Sequence, residues 1–162
     1  MSPIAPAPDA QAGAASHGPR HPETPLQSTV RHIPTTAVRL DHTAVLAADR
    51  QLSAQFLAAV LGLEAGAPFG PFLPVDLAGG VTLDHYEKRD EPVQPQHYAF
   101  LVPDEQFDGM IARLEALGVT YYADPHHGEP GRINRLFGGR GAYFAHPAGH
   151  NMDIMTRPYV RP

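Results

Sequence analysis

Ten histidines and no cysteine stand among the 162 residues, so metal or acid–base chemistry in this chain rests on imidazoles and carboxylates. Two of the histidines recur in a repeated context. His42-Thr43-Ala44-Val45-Leu46-Ala47-Ala48-Asp49 aligns with His97-Tyr98-Ala99-Phe100-Leu101-Val102-Pro103-Asp104 at an offset of 55, sharing H-x-A-(V/F)-L-x-x-D. Two aspartates recur as well: Val81-Thr82-Leu83-Asp84-His85-Tyr86 and His150-Asn151-Met152-Asp153-Ile154-Met155 each place an Asp after a large apolar residue. If both segments are strands whose sheets curve toward a common centre, His42, His97, Asp84 and Asp153 converge there. Neutral imidazoles with a carboxylate leave open coordination positions, as in non-haem Fe(II) and catalytic zinc sites. A carboxylate beside such an ion can also serve as general base.

The elements that must position these groups follow from the same repeat. Each H-x-A run has strand length and ends in an Asp suited to cap a helix. Alternation puts His42, Ala44 and Leu46 on one face and His97, Ala99 and Leu101 on its counterpart, leaving Val45 and Phe100 to pack beneath helices. After Asp49, the spacing of Leu52, Phe56, Ala59, Val60 and Leu63 predicts one helical face; after Asp104, Phe107, Met110, Ile111, Leu114 and Leu117 predict another. Gly62 and Gly118 stand where a helix ends in a left-handed residue. Segments 71–77 and 80–86 then read as strands, as do 119–123, 141–145 and 151–156. Each half is therefore a strand, a helix and about three strands.

Composition narrows the rest. A hydrophobic content of 43% supports one core, and 12 basic against 17 acidic residues give a net charge of −5, which disfavours a nucleic-acid partner. No apolar run approaches the ~20 residues of a membrane helix, and no export signal is visible, so a cytoplasmic location without a membrane partner is expected. Residues 1–34 hold 7 of the 18 prolines and are expected to form a disordered Pro/Ala-rich arm. Residues 35–162 are expected to form a single domain of two modules, about 38–88 and 95–157. His85 reads as structural, and His126, His127, His146 and His150 read as surface loop residues. Within the glycine-rich stretch 128–144, Arg140 and Tyr143 are the side chains suited to reach a polar ligand.

Leu40-Asp41-His42, Gly80-Val81-Thr82-Leu83-Asp84, Gln96-His97-Tyr98-Ala99-Phe100-Leu101-Val102 and the run from Gly139 to Ile154 together resemble the vicinal oxygen chelate superfamily, over roughly residues 38–159. That superfamily includes glyoxalase I, extradiol dioxygenases, fosfomycin-modifying enzymes and bleomycin-binding proteins. The resemblance implies an α+β fold of paired βαβββ modules forming a cupped, barrel-like mixed sheet with helices outside. It implies one divalent metal per site (Fe, Ni, Zn or Mn) held by His42, His97 and Asp153, with Asp84 catalytic and Arg140 and Tyr143 binding substrate. It also implies a homodimer acting on a small molecule that chelates the metal through neighbouring oxygens, in dioxygenase-like or glyoxalase-like chemistry. The alternative it offers is a metal-free protein that sequesters an antibiotic, as bleomycin-resistance proteins do. Two departures from the family pattern stand out: Asp153 replaces the usual Glu, and His146 replaces the usual Asp of D-P-x-G.

Overall fold

A computed structural model of the chain describes residues 38–160; the expected arm at 1–34 lies outside them. The first half runs β1 (His42–Ala47), α1 (Arg50–Leu61), β2 (Phe72–Leu77) and β3 (Val81–Glu87). The second runs β4 (His97–Leu101), α2 (Asp104–Ala116), β5 (Tyr121–Tyr122), β6 (Gly141–Ala145) and β7 (Asn151–Met155), with a short 3-10 turn at Leu136–Gly138. The strands form two mixed sheets, in the orders β1-β3-β2 and β4-β7-β6-β5, so the α+β paired-module architecture is present and the sheets do not close into one barrel.

The halves differ by one strand. Residues 63–70, Leu-Glu-Ala-Gly-Ala-Pro-Phe-Gly, contain no β-branched residue, and Pro68 lacks a ladder donor. This stretch makes an isolated bridge at Phe69 and Phe72 and a single bond from Gly66 N to Pro74 O at 2.8 Å. The first half therefore carries two strands after its helix, against three in the second.

Helix α1 begins at Asp49, whose carboxylate accepts from the Leu52 amide at 2.9 Å, and ends at Gly62 with φ +72°. Its buried face differs from the one the hydrophobic spacing predicts. Ser53, Ala54, Leu57, Val60 and Leu61 are buried, whereas Leu52 is 54% exposed. The helix turns this way because small Ala54 and Ala58 let it approach Leu73 and Val75 of β2, while Ser53 meets a buried histidine across the core. Helix α2 buries Phe107, Met110 and Leu114 as the spacing predicts. Its cap does not follow the repeat: Asp104 is the first helical residue, after Pro103, and its carboxylate accepts from Arg140 Nε at 2.9 Å.

One core joins the halves. Val45, Leu57, Val60 and Leu83 pack with Phe100, Phe107, Leu114, Phe144, Met152 and Ile154, and removing a side chain such as Phe107 from water contributes about 2–3 kcal/mol. Polar bonds cross the same seam. Arg113 Nε donates to Val60 O at 2.9 Å, and His150 Nε2 donates to Leu46 O at 2.7 Å. With their opposite faces committed to this core, β1 and β4 leave His42 and Ala44, and His97, Ala99 and Leu101, exposed.

Candidate metal centre

Parallel pairing sets the geometry of the second half. Ala99 of β4 lies across from Asp153 of β7, and Tyr143 of β6 flanks Asp153 on the other side. His97, two residues before Ala99, shares its face and brings Nε2 to 3.4 Å from Asp153 Oδ2. Asp153 is only 2% exposed, and its Oδ1 has no hydrogen-bond partner. Burial pushes its pKa above the ordinary carboxylate value, against His97 and the phenols that favour the ionised form. An orphaned carboxylate oxygen buried beside an open imidazole is costly unless something fills the vacant position. A cation is the group that chemistry suits.

The first half repeats the geometry in a more open form. Ala44 of β1 lies across from Asp84 of β3. His42 Nδ1 meets Asp41 Oδ2 at 2.8 Å, an arrangement in which a carboxylate fixes the tautomer and leaves Nε2 as the free donor atom. That hydrogen bond, aided by the nearby charges of Asp41 and Asp84, raises the His42 pKa above its ordinary value.

The chain thus brings the sequence-predicted residues together as two pairs, His97 with Asp153 and His42 with Asp84. Among the described residues, no group of three or more His, Asp or Glu converges to hold an ion. Tyr143 stands at the second pair, its ring 6.1 Å from that of His97. Arg140 is engaged elsewhere: its guanidinium reaches Asp104 and Asp108 and lies 4.6 Å over the Phe107 ring.

Two features escape the sequence reading. Tyr159, beyond the last strand, donates to Asp153 Oδ2 at 3.2 Å and accepts from Tyr143 at 3.0 Å. His146 and His150, expected at the surface, are buried at 2% and 1% exposure. His146 Nδ1 accepts from the Ala148 amide, so Nε2 carries the proton and donates to Ser53 O at 3.1 Å. Ser53 Oγ in turn lies 2.6 Å from His85 Nδ1. Burial lowers the pKa of both His85 and His146 to about 4. His85 thus has the structural place expected of it. The signal for the other two was their position between the last strands, where a turn packs against α1.

No family model matches the chain. A solved structure named oxidase ChaP-H2 is 52% identical, covering 75% of this chain and 95% of that one, with a TM-score of 0.73. Glutathione transferase FosA of Serratia marcescens is 28% identical over 120 residues, 71% of this chain and 78% of that protein. A glyoxalase/dioxygenase from Nostoc punctiforme shares the fold at 20% identity, a TM-score of 0.62, and coverage of 82% and 99%. A FosX fosfomycin resistance protein of Listeria monocytogenes, solved with Mn(II) and a dihydroxypropylphosphonic acid, does so at 21% identity, a TM-score of 0.57, and coverage of 74% and 90%. The chain belongs to the vicinal oxygen chelate superfamily, whose relatives here are named as enzymes. No helix among the described residues is long and apolar enough to cross a membrane.

Proposed function

We propose that the protein is a divalent-metal-dependent enzyme whose substrate is a small molecule offering two neighbouring oxygens, and that its chemistry is oxidative, in the dioxygenase-like branch of the superfamily. The observation that carries this reading is Asp153, buried with a free Oδ1 beside the open ring of His97. Half-identity to a protein named an oxidase favours oxidative chemistry over isomerisation.

In this reading His97 Nε2, Asp153 Oδ1 and a His42 Nε2 hold the ion. The metal, when bound, acts as a Lewis acid toward the chelating oxygens and supplies open positions for them. Tyr143 borders that space and orients the substrate, while Asp84 takes a proton from it. Ala44, Ala99 and Leu101 keep the floor apolar, so charge at the site is poorly screened by water.

Because His42 stands apart from the Asp153 pair within one chain, a second copy is the natural source of the missing imidazole. A two-fold dimer then makes two equivalent sites, each with His42 from one protomer and His97 and Asp153 from the other. An apolar cleft of about 430 Å3, lined by Leu40, Leu63, Leu77, Val81, Ala99 and Met110, adjoins these open faces. Leu40 and Leu101 at its edge are 61% and 62% exposed, a surface suited to burial between subunits.

The reading is tested by reconstituting metal-free protein anaerobically with Fe(II), Mn(II), Ni(II) or Zn(II), then measuring stoichiometry and oxygen uptake with catechol-type substrates. Stoichiometric Fe(II) with oxygen uptake is expected. Stoichiometric metal with hemithioacetal isomerisation and no oxygen uptake would move the enzyme to the glyoxalase-like branch. No metal uptake at all would favour ligand sequestration.

A further inference from the structure

We propose that Tyr159 is a positioning residue for Asp153, its phenol occupying Oδ2 so that Oδ1 alone faces the cation. This rests on the metal-dependent reading above and goes beyond its ligand set. The phenol donates to Oδ2 at 3.2 Å, and a carboxylate can only accept, so the direction of that bond is fixed. Tyr143 then donates to the Tyr159 oxygen at 3.0 Å. The result is a directed chain, Tyr143 to Tyr159 to Asp153, that ends on one of the two carboxylate oxygens and leaves the other unpartnered.

The fold builds a seat for this phenol. Leaving β7, the chain is held by a reciprocal pair, Thr156 N to Arg140 O at 2.9 Å and Arg140 N to Thr156 Oγ1 at 3.0 Å. It then passes so close to Gly139 that a Cβ there would meet Arg157 Cβ and Cγ at 2.8 Å. Phe137 turns its ring edge onto Tyr159 with centroids 5.4 Å apart, from a backbone at φ +53°. A bulky side chain in the left-handed region is unfavourable by about 1–3 kcal/mol and persists where surrounding contacts require it. Three separate features of the loop and the C-terminal segment therefore converge on one hydroxyl.

The arrangement also accounts for an aspartate where relatives use glutamate. The shorter side chain has less reach with which to choose its own angle, and a hydrogen bond to the distal oxygen restores a single orientation. Partners of this kind typically contribute 10–100-fold to metal affinity.

The test compares full-length wild type, Tyr159→Phe and Asp153→Asn, using Mn(II) affinity by EPR titration and the visible absorption of the Co(II) form. Tyr159→Phe keeps the ring on Phe137 and removes only the hydroxyl. It is expected to weaken Mn(II) binding about 10–100-fold. It should also dim the Co(II) bands, because the freed Oδ2 joins Oδ1 and raises the coordination number. Unchanged affinity and an unchanged Co(II) spectrum in Tyr159→Phe, with binding lost in Asp153→Asn, would overturn this proposal alone. Wild-type Mn(II) binding by Asp153→Asn would overturn the metal-site reading beneath it.

Discussion

Asp84 and Asp153 occupy equivalent places in the two sheets: each lies on an inner strand, directly across a parallel ladder from the alanine two residues past its half's histidine. Their surroundings differ. Pro74 flanks Asp84 where Tyr143 flanks Asp153, and Tyr159 adds a second phenol on Asp153 alone. Asp84 is consequently half-buried and Asp153 fully buried. One duplicated position thus yields a desolvated candidate ligand in one half and a more solvated candidate base in the other.

This asymmetry predicts different consequences for the two amides. Asp153→Asn is expected to lose stoichiometric metal. Asp84→Asn is expected to keep metal and lose about 100-fold in kcat, the lower end of what general-base catalysis supplies. Metal analysis and steady-state kinetics on both variants check this; loss of metal in Asp84→Asn would make that residue a ligand instead.

The buried histidines predict an acid-sensitive fold. His85 and His146 sit neutral beside Ser53 with pKa values near 4 against an ordinary 6.5. As pH falls, the unfolded chain takes up protons first. Their contribution is complete above about pH 6.5 and drains away as pH drops toward 4, by roughly 2 kcal/mol per group at pH 5. Guanidinium unfolding at pH 7.5, 6 and 5 should give falling midpoints, and a midpoint flat across that range would contradict the assignment.

The rotation of α1 predicts which of two nearby leucines matters. Leu57 is fully buried and Leu52 is exposed, so Leu57→Ala should destabilise by about 2–5 kcal/mol and Leu52→Ala by less than about 1 kcal/mol. Equal costs by chemical denaturation would restore the face expected from hydrophobic spacing alone.

Arg140 is predicted to act on the fold rather than on substrate. Its guanidinium ties the strand before β6 to Asp104, Asp108 and the Phe107 ring of α2. Arg140→Ala should lower Tm and leave metal affinity and KM unchanged. A raised KM at unchanged Tm would return Arg140 to the substrate.

The sequence made the repeat legible because duplication preserved its strongest signals: strand alternation, the helix of Phe107, Met110 and Leu114, and glycine endings at Gly62 and Gly118. Capping was legible in one half only, since at Asp104 a distant arginine took the carboxylate that the repeat assigned to the cap. Hydrophobic spacing misjudged α1 because Ala54 and Ala58 are buried for their smallness, and Ser53 for its hydrogen bond, properties that spacing does not weigh. His146 and His150 looked like loop residues among Pro and Gly, yet tertiary packing of that turn against α1 and β1 buries them. Tyr159 carried no motif. Its role depends on a loop more than fifteen residues earlier in the chain passing close enough to hold it.

The central claim is that a metal site joins His97 and Asp153 of one chain with His42 of another. Its most direct measurement mixes His42→Ala and Asp153→Asn proteins, exchanges their subunits, and quantifies bound metal. Each variant alone should bind none. Random exchange makes half the dimers hybrids with one intact site each, so metal should return to about a quarter of the wild-type level. No recovery in a mixture proven to contain hybrids would contradict a shared site.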